Sequence, residues 1–200
     1  YGRGMIDIDR RLSHYLPYLK QSDKKSIIIR ELMAHQSRFQ AWIPYFKYTL
    51  GQEGPLPSPY RDEVSEDYPV RVAEGMYIQR DYVHAILDSI RFSSLSENNH
   101  YRYSDLGFYL LKEAMEMITN APYKTYTARQ YYDPMGLPTM GYLPLEEFPR
   151  ERIVPTEDDK IFRKQVLQGD VHDQGAAMIG GVSGHAGLFS NAFDMAAIMQ

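Results

Sequence analysis

Two stretches of the chain space their apolar residues as a helix would. In Asp81–Phe92, Val83, Ile86, Leu87 and Ile90 recur at i, i+3, i+4 and i+7, with Asp81 placed to cap the start. In "SDLGFYLLKEAMEMITN", Leu106, Tyr109, Leu110, Ala114, Met117 and Ile118 form one apolar stripe, which predicts a long helix from about Asp105. Ile29, Leu32 and Met33 predict a third helix over Ser26–Gln36, and "YKTYTARQYYDPMG" a short one closed by Asp133-Pro134 and Gly136. Ala186–Ser190 is the clearest strand. After it, Phe193, Ala196 and Ala197 begin another helix, with Asn191 as its N-cap and Asp194 at the third helical position. Between about 42 and 80 the periodicity is lost. Pro44, Pro55, Pro57, Pro59 and Pro69, set among tyrosines and charges, predict a long irregular insert there.

Composition then removes several function classes. A chain of 200 residues, 44% of them hydrophobic, suits one domain or part of one. Its net charge of −4 argues against nucleic acid as a partner, because phosphate binding needs a basic face. No apolar run is long enough to span a membrane. The absence of cysteine excludes disulfides, zinc–thiolate sites and a thiol nucleophile within these residues. The opening "YGRG" and the closing "NAFDMAAIMQ" both read as cut, so the expectation is a partial domain over 1–200, truncated at both ends.

Three constellations could carry chemistry. Tyr103-Ser104-Asp105 stands at a helix start. On local sequence it fits a plain N-cap beside a core tyrosine best; the other reading is a tyrosine hydroxyl held at a rigid turn as a general base. His185 lies in "GGVSGHAGLFSN", among four glycines; a glycine at 187 beside an edge strand would let a ligand approach the backbone, whose N–H groups could bind a carbonyl oxygen. Asp170, His172 and Asp173 could bind a metal, but a structural loop fits that run better and no metal or cofactor is expected. For a serine nucleophile the signals are poor. Gly181-Val182-Ser183-Gly184-His185 fails the G-x-S-x-G elbow at its last position. The one S-x-x-K, Ser22–Lys25, sits in the polar run "KQSDKKS", where nothing would bury its lysine.

Taken in order, these pieces resemble the serine β-lactamase and penicillin-binding-protein superfamily, in its class C-like esterase and DD-peptidase branch. "MIDIDRRLSHYLPYLK" is similar to the segment after that family's nucleophile helix. "IIIRELMAHQS" is similar to the next helix, with Arg38 where the family has glycine. "YRYSDLGFYLL" resembles the Tyr-x-Asn motif, Tyr103 matching the tyrosine and Asp105 replacing the asparagine, and "YYDPMGL" resembles the family's "PLGM" turn. "GDVHDQGAAMIGGVSGHAGLFSNAFDMA" is similar to a phrase of one subgroup, some of whose members follow a glycosidase domain. There, His185-Ala186-Gly187 takes the place of Lys-Thr-Gly.

The resemblance implies an α+β, β-lactamase-like fold, of which this chain would hold the helical lobe and the first strand of the catalytic edge. It implies a serine that attacks a carbonyl of an ester, D-amino-acid peptide or β-lactam and forms an acyl-enzyme, with no cofactor. Tyr103 and His185 would be catalytic; Asp105, Ala186 and Gly187 would contact the substrate. An anionic Asp105 beside a lysine would favour the ammonium form and make that lysine a poorer base. The family's S-x-x-K is expected before Tyr1, so these residues alone should be inactive. The implied setting is a bacterial periplasm or cell surface, with a small-molecule or peptidoglycan-type substrate and a fused glycosidase domain as a candidate neighbour. The competing reading is a non-catalytic module that binds peptidoglycan or carbohydrate. Its support is Asp105, Arg38 and the tyrosines of the insert, which would suit a stacking surface.

Overall fold

The computed structural model describes Gly2 and residues 4–200. The chain divides into two compact units, Tyr1–Ile43 with Ala85–Ala121 and Pro44–His84 with Pro122–Gln200.

The first unit is helical. It holds Leu12–Tyr15 (α1), Ile29–Met33 (α2), the C-terminal part of Arg80–Phe92 (α3), and Leu106–Thr119 (α4). The apolar spacing of α3 buries Ile86 and Ile90, as the pattern predicts. In α4, Leu106, Tyr109, Leu110 and Ala114 are buried, but Met117 is exposed, so the stripe turns to solvent before the helix ends at Asn120 in a left-handed conformation (φ 49°). Gly107 sets how closely α4 can lie on α2. A Cβ there would stand 2.7 Å from Leu32 Cγ, so only a bare backbone fits at that contact. The helix expected over Ser26–Gln36 is shorter. Ile28 is extended, and the Ile27 carbonyl and Ile29 N–H bond to Leu12 and Arg10 instead of closing a helical turn. Lys24 is fully buried; its Nζ bonds Asp23 at 2.7 Å and the Ser93 carbonyl.

The second unit contains all the described strands: Tyr60–Arg61 (β1), Val70–Ala73 (β2), Met76–Ile78 (β3), Gly141–Tyr142 (β4), Glu157–Asp159 (β5), Gln165–Leu167 (β6) and Leu188–Phe189 (β7). Strands β1, β3 and β2 make an antiparallel sheet in that spatial order, with Tyr60 and Val70 both facing Ile78. This sheet lies inside the stretch expected to be irregular. Strands of two to four residues are too short to show alternation, and their pairing comes from the chain doubling back. The unit's helices are Tyr123–Thr127 (α5), Gln174–Met178 (α6) and Ala192–Ile198 (α7). Helix α6 buries Ala176, Ala177 and Met178 and packs on β2, while the rings of Phe46 and Tyr60 meet buried Phe162 at 5.4 and 5.8 Å. Asn191 caps α7 by accepting the Asp194 N–H at 2.9 Å, as expected. The apolar face of α7 is not buried, however: Phe193 is 86% exposed, and Asp194 is instead the buried residue, accepting the Thr139 N–H and hydroxyl at 2.8 and 2.7 Å. The strand expected over Ala186–Ser190 contracts to β7, which pairs antiparallel with β4.

Every described strand pair is antiparallel, so the α+β expectation holds. None of the described helices is long and apolar enough to cross a membrane.

Candidate active site

In the first unit, Tyr103-Ser104-Asp105 is stitched to a loop that lies more than 60 residues earlier. The Arg102 N–H bonds the His35 carbonyl at 2.9 Å, and the Asp105 N–H bonds the Ala41 carbonyl at 3.0 Å. The Ser104 hydroxyl donates to the Gln40 carbonyl at 2.7 Å, and the Ser104 N–H donates to His35 Nδ1 at 3.2 Å. Ser104 is buried, and its Oγ also accepts the Leu106 N–H at 3.3 Å. It therefore plays the cap-like part at the start of α4, while the Asp105 side chain makes no cap hydrogen bond. Tyr103 is 57% exposed, its ring tilted over His35 at 4.7 Å. The loop that clamps this turn contains two residues in the left-handed region, His35 (φ 56°) and Arg38 (φ 65°). Arg38 thus adopts a backbone shape that a glycine would take more easily.

In the second unit, His185 is held at both ring nitrogens. Nδ1 lies 2.8 Å from Ser183 Oγ and Nε2 lies 3.1 Å from Asp173 Oδ1. The His185 side chain is 5% exposed. Asp173 is also the N-cap of α6, accepting the Ala176 N–H at 2.6 Å. Burial pushes its carboxyl pKa up, but hydrogen bonds from His185 and the Ala176 N–H outweigh that and hold it below the usual carboxylate range. Ser183 is fully buried; its carbonyl accepts the Tyr142 hydroxyl at 3.2 Å and its N–H reaches the Ala186 carbonyl at 3.3 Å. The sequence pattern tested Ser183 only as a nucleophile, and the signal that it pairs with His185 was simply their i, i+2 spacing. Gly187 has φ 102°, and a Cβ there would stand 2.1 Å from the Gly181 carbonyl oxygen. The close approach that its glycine permits is thus made by the chain's own backbone. Ala186 and Gly187 lead directly into β7, whose only strand partner among the described residues is β4.

The run Asp170-Val171-His172-Asp173 does not converge. Asp170 forms a two-point pair with Arg71 at 2.9 and 3.0 Å, His172 Nδ1 faces Glu157 at 3.1 Å, and Asp173 turns to His185. The run is held from behind by buried Arg163, which donates to the Val171 and His172 carbonyls at 2.7 and 2.6 Å and to Asp159 at 2.8 Å. At Ser22, the hydroxyl donates to the Leu19 carbonyl at 2.9 Å and accepts the Lys24 N–H at 3.2 Å, while Lys25 is exposed. That is a turn cap and not a nucleophile with its lysine.

A family model described as Beta-lactamase matches residues 1–200. A Bacillus subtilis (strain 168) protein named N-acetylmuramyl-L-alanine amidase is 32% identical, the match covering 99% of this chain and 44% of that protein. An Escherichia coli (strain K12) protein named "Putative D-alanyl-D-alanine carboxypeptidase" is 29% identical, over 98% of this chain and 44% of its own length. Among solved structures, the octameric penicillin-binding protein homologue from Pyrococcus abyssi aligns with a TM-score of 0.61 at 14% identity, over 98% of this chain and 39% of that one. The chain spans less than half the length of each of these proteins.

Proposed function

The chain belongs to the β-lactamase family, and from that premise we propose that it is part of a serine hydrolase that works through an acyl-serine intermediate. The reaction is attack of a serine Oγ on an acyl carbonyl, passage of its proton to the leaving group, and release of the acyl group to water or another acceptor. Tyr103 carries that proton. Asp105 contacts the substrate, and the strand from Ala186 and Gly187 into β7 lies along it, offering backbone N–H groups to the developing oxyanion. The nucleophile is supplied from outside these 200 residues, because the S-x-x-K at Ser22–Lys25 is a cap; these residues alone are then inactive. Peptidoglycan-type peptides are the favoured substrates, since two relatives are named for an amidase and a carboxypeptidase of that chemistry. Esters and β-lactams are the other members of the class. An extracytoplasmic setting goes with such a substrate.

The observation that carries this reading is the Tyr103 turn, a half-exposed tyrosine on a backbone clamped by four hydrogen bonds. A positioned proton carrier contributes on the order of 10²–10⁴ in rate. In the full-length protein, Tyr103→Phe is therefore expected to slow acylation by a fluorescent penicillin or fluorophosphonate by at least about 100-fold. Labelling of Tyr103→Phe at the native rate removes Tyr103 from the mechanism. No labelling of the native protein, together with retained binding to peptidoglycan, would establish the non-catalytic binding module instead.

A further inference from the structure

We infer that His35 is a positioning residue for Tyr103, holding the backbone on both sides of the tyrosine and lying against its ring. This deepens the proposed function and rests on it for the task of Tyr103. Every residue involved belongs to the first unit.

Helix α2 ends in a tight turn at His35. The His35 N–H bonds the Leu32 carbonyl at 3.0 Å and the Gln36 N–H bonds the Glu31 carbonyl at 2.7 Å, with His35 at φ 56°. Two such bonds around one left-handed residue are a common way to close a helix, and glycine is the usual residue there because a Cβ is disfavoured in that region. For closing the helix alone, histidine is a poor choice. Its carbonyl and its ring are both used elsewhere, on the stretch around Tyr103.

His35 meets that stretch three times. Its carbonyl accepts the Arg102 N–H at 2.9 Å, its Nδ1 accepts the Ser104 N–H at 3.2 Å, and its ring lies 4.7 Å from the Tyr103 ring at an interplanar angle of 35°. One residue thus holds the N–H groups of both neighbours of Tyr103. The same ring stands 5.3 Å from Phe108 of α4 and 5.9 Å from Tyr101, which limits its swing. Because a backbone N–H only donates, Nδ1 must offer its lone pair, and the ring proton sits on Nε2. A charged ring would aim a second N–H at that of Ser104, so the contact belongs to the neutral imidazole. The two held N–H groups set where the Tyr103 backbone stands, and the ring contact sets the direction in which the phenol projects. A misplacement of about 1 Å costs on the order of 100-fold in rate, so this aim bears on turnover.

Two substitutions separate the task from helix closure. His35→Gly suits the helix end better and removes both the Nδ1 acceptor and the ring, while the carbonyl contact to Arg102 stays. His35→Asn also takes the left-handed backbone readily and drops the ring, but it keeps an acceptor, an amide oxygen bonded to Cγ as Nδ1 is. In the full-length protein, His35→Gly is expected to melt near the native temperature. It is nonetheless expected to take a fluorescent penicillin roughly 10- to 100-fold more slowly at saturation, with the half-saturating concentration unchanged. His35→Asn is expected to recover part of that loss. In native protein labelled with ¹⁵N-histidine, the ring signal that His35→Asn lacks is expected to be that of an Nε2–H tautomer. Labelling of His35→Gly at the native rate overturns the inference, as does its unfolding, since the histidine would then be holding the fold. His35→Asn no faster than His35→Gly, or a native ring with its proton on Nδ1, overturns it too. A native protein that takes no label at all gives a different signature: it removes the hydrolase reading, and the role of His35 in it, whatever the variants do.

Discussion

Around Tyr103 the hydrogen bonds tie its neighbours Arg102, Ser104 and Asp105 to the 35–41 loop, two of them from backbone to backbone and two through the Ser104 hydroxyl and the His35 ring, and the tyrosine side chain is 57% exposed. Around His185 the side chain is the fastener: its ring is 5% exposed and bonded at both nitrogens, and the glycine-rich backbone closes around it. The two turns are thus held in opposite ways: at the first the ring stays outward over a tied loop, and at the second the ring is drawn inward by its own hydrogen bonds. Burial separates them more sharply than residue type does, since tyrosine and histidine are both ordinary acid–base side chains.

The comparison is most exposed to failure at the ions behind the second turn. Asp159 accepts from the Ile161, Phe162 and Arg163 N–H groups at 2.9, 2.8 and 3.0 Å as well as from Arg163 Nε. Arg163 in turn holds the carbonyls just before Asp173. Removing one partner of a buried pair costs about 3–5 kcal/mol, so Asp159→Ala should lower urea-unfolding stability by that amount. A loss below about 1 kcal/mol, the level of a surface pair, would mean that the second turn does not depend on buried ions.

Gly187→Ala sharpens the same side of the comparison. Its methyl would meet a carbonyl oxygen at 2.1 Å from a backbone with φ 102°, and strain plus overpacking should cost about 3 kcal/mol. Thermal unfolding reads this directly, and a neutral result would show that the turn has slack. The smallest expected effect is on the first turn, and it has the opposite sign. Arg38 holds φ 65° with a Cβ, so Arg38→Gly should raise stability by about 0.5–1 kcal/mol in the same assay. A loss would mean that the arginine side chain stabilises the loop by more than its backbone strain.

Legibility followed range. The spacing of Ile86 and Ile90 in α3, the buried half of the α4 stripe, and the Asn191–Asp194 cap were readable because each joins residues at most four apart along a helix. Membership of the β-lactamase family was readable for a related reason, as the resemblance is carried by short phrases along the chain. The buried end of Lys24 was not readable, because its acceptor at Ser93 is 69 residues away. The sheet of β1, β3 and β2 escaped notice because its strands are too short to display a period. The exposed Phe193 defeats pattern reading from the other direction. Its spacing marks an apolar face, but spacing does not say whether anything covers that face.

By itself, then, the sequence determined which of the longer segments coil, where a helix is capped, and that the chain resembles the β-lactamase family, since local backbone and side-chain preferences and short phrases carry these within a few residues. The tertiary structure decided which nitrogen of His185 meets which partner, why Gly187 must be glycine, and that Arg38 accepts a glycine's conformation. Each of these depends on atoms brought together by the chain's return. Their free energies come from burial and from hydrogen bonds closed across that return, and neither exists until the chain has folded.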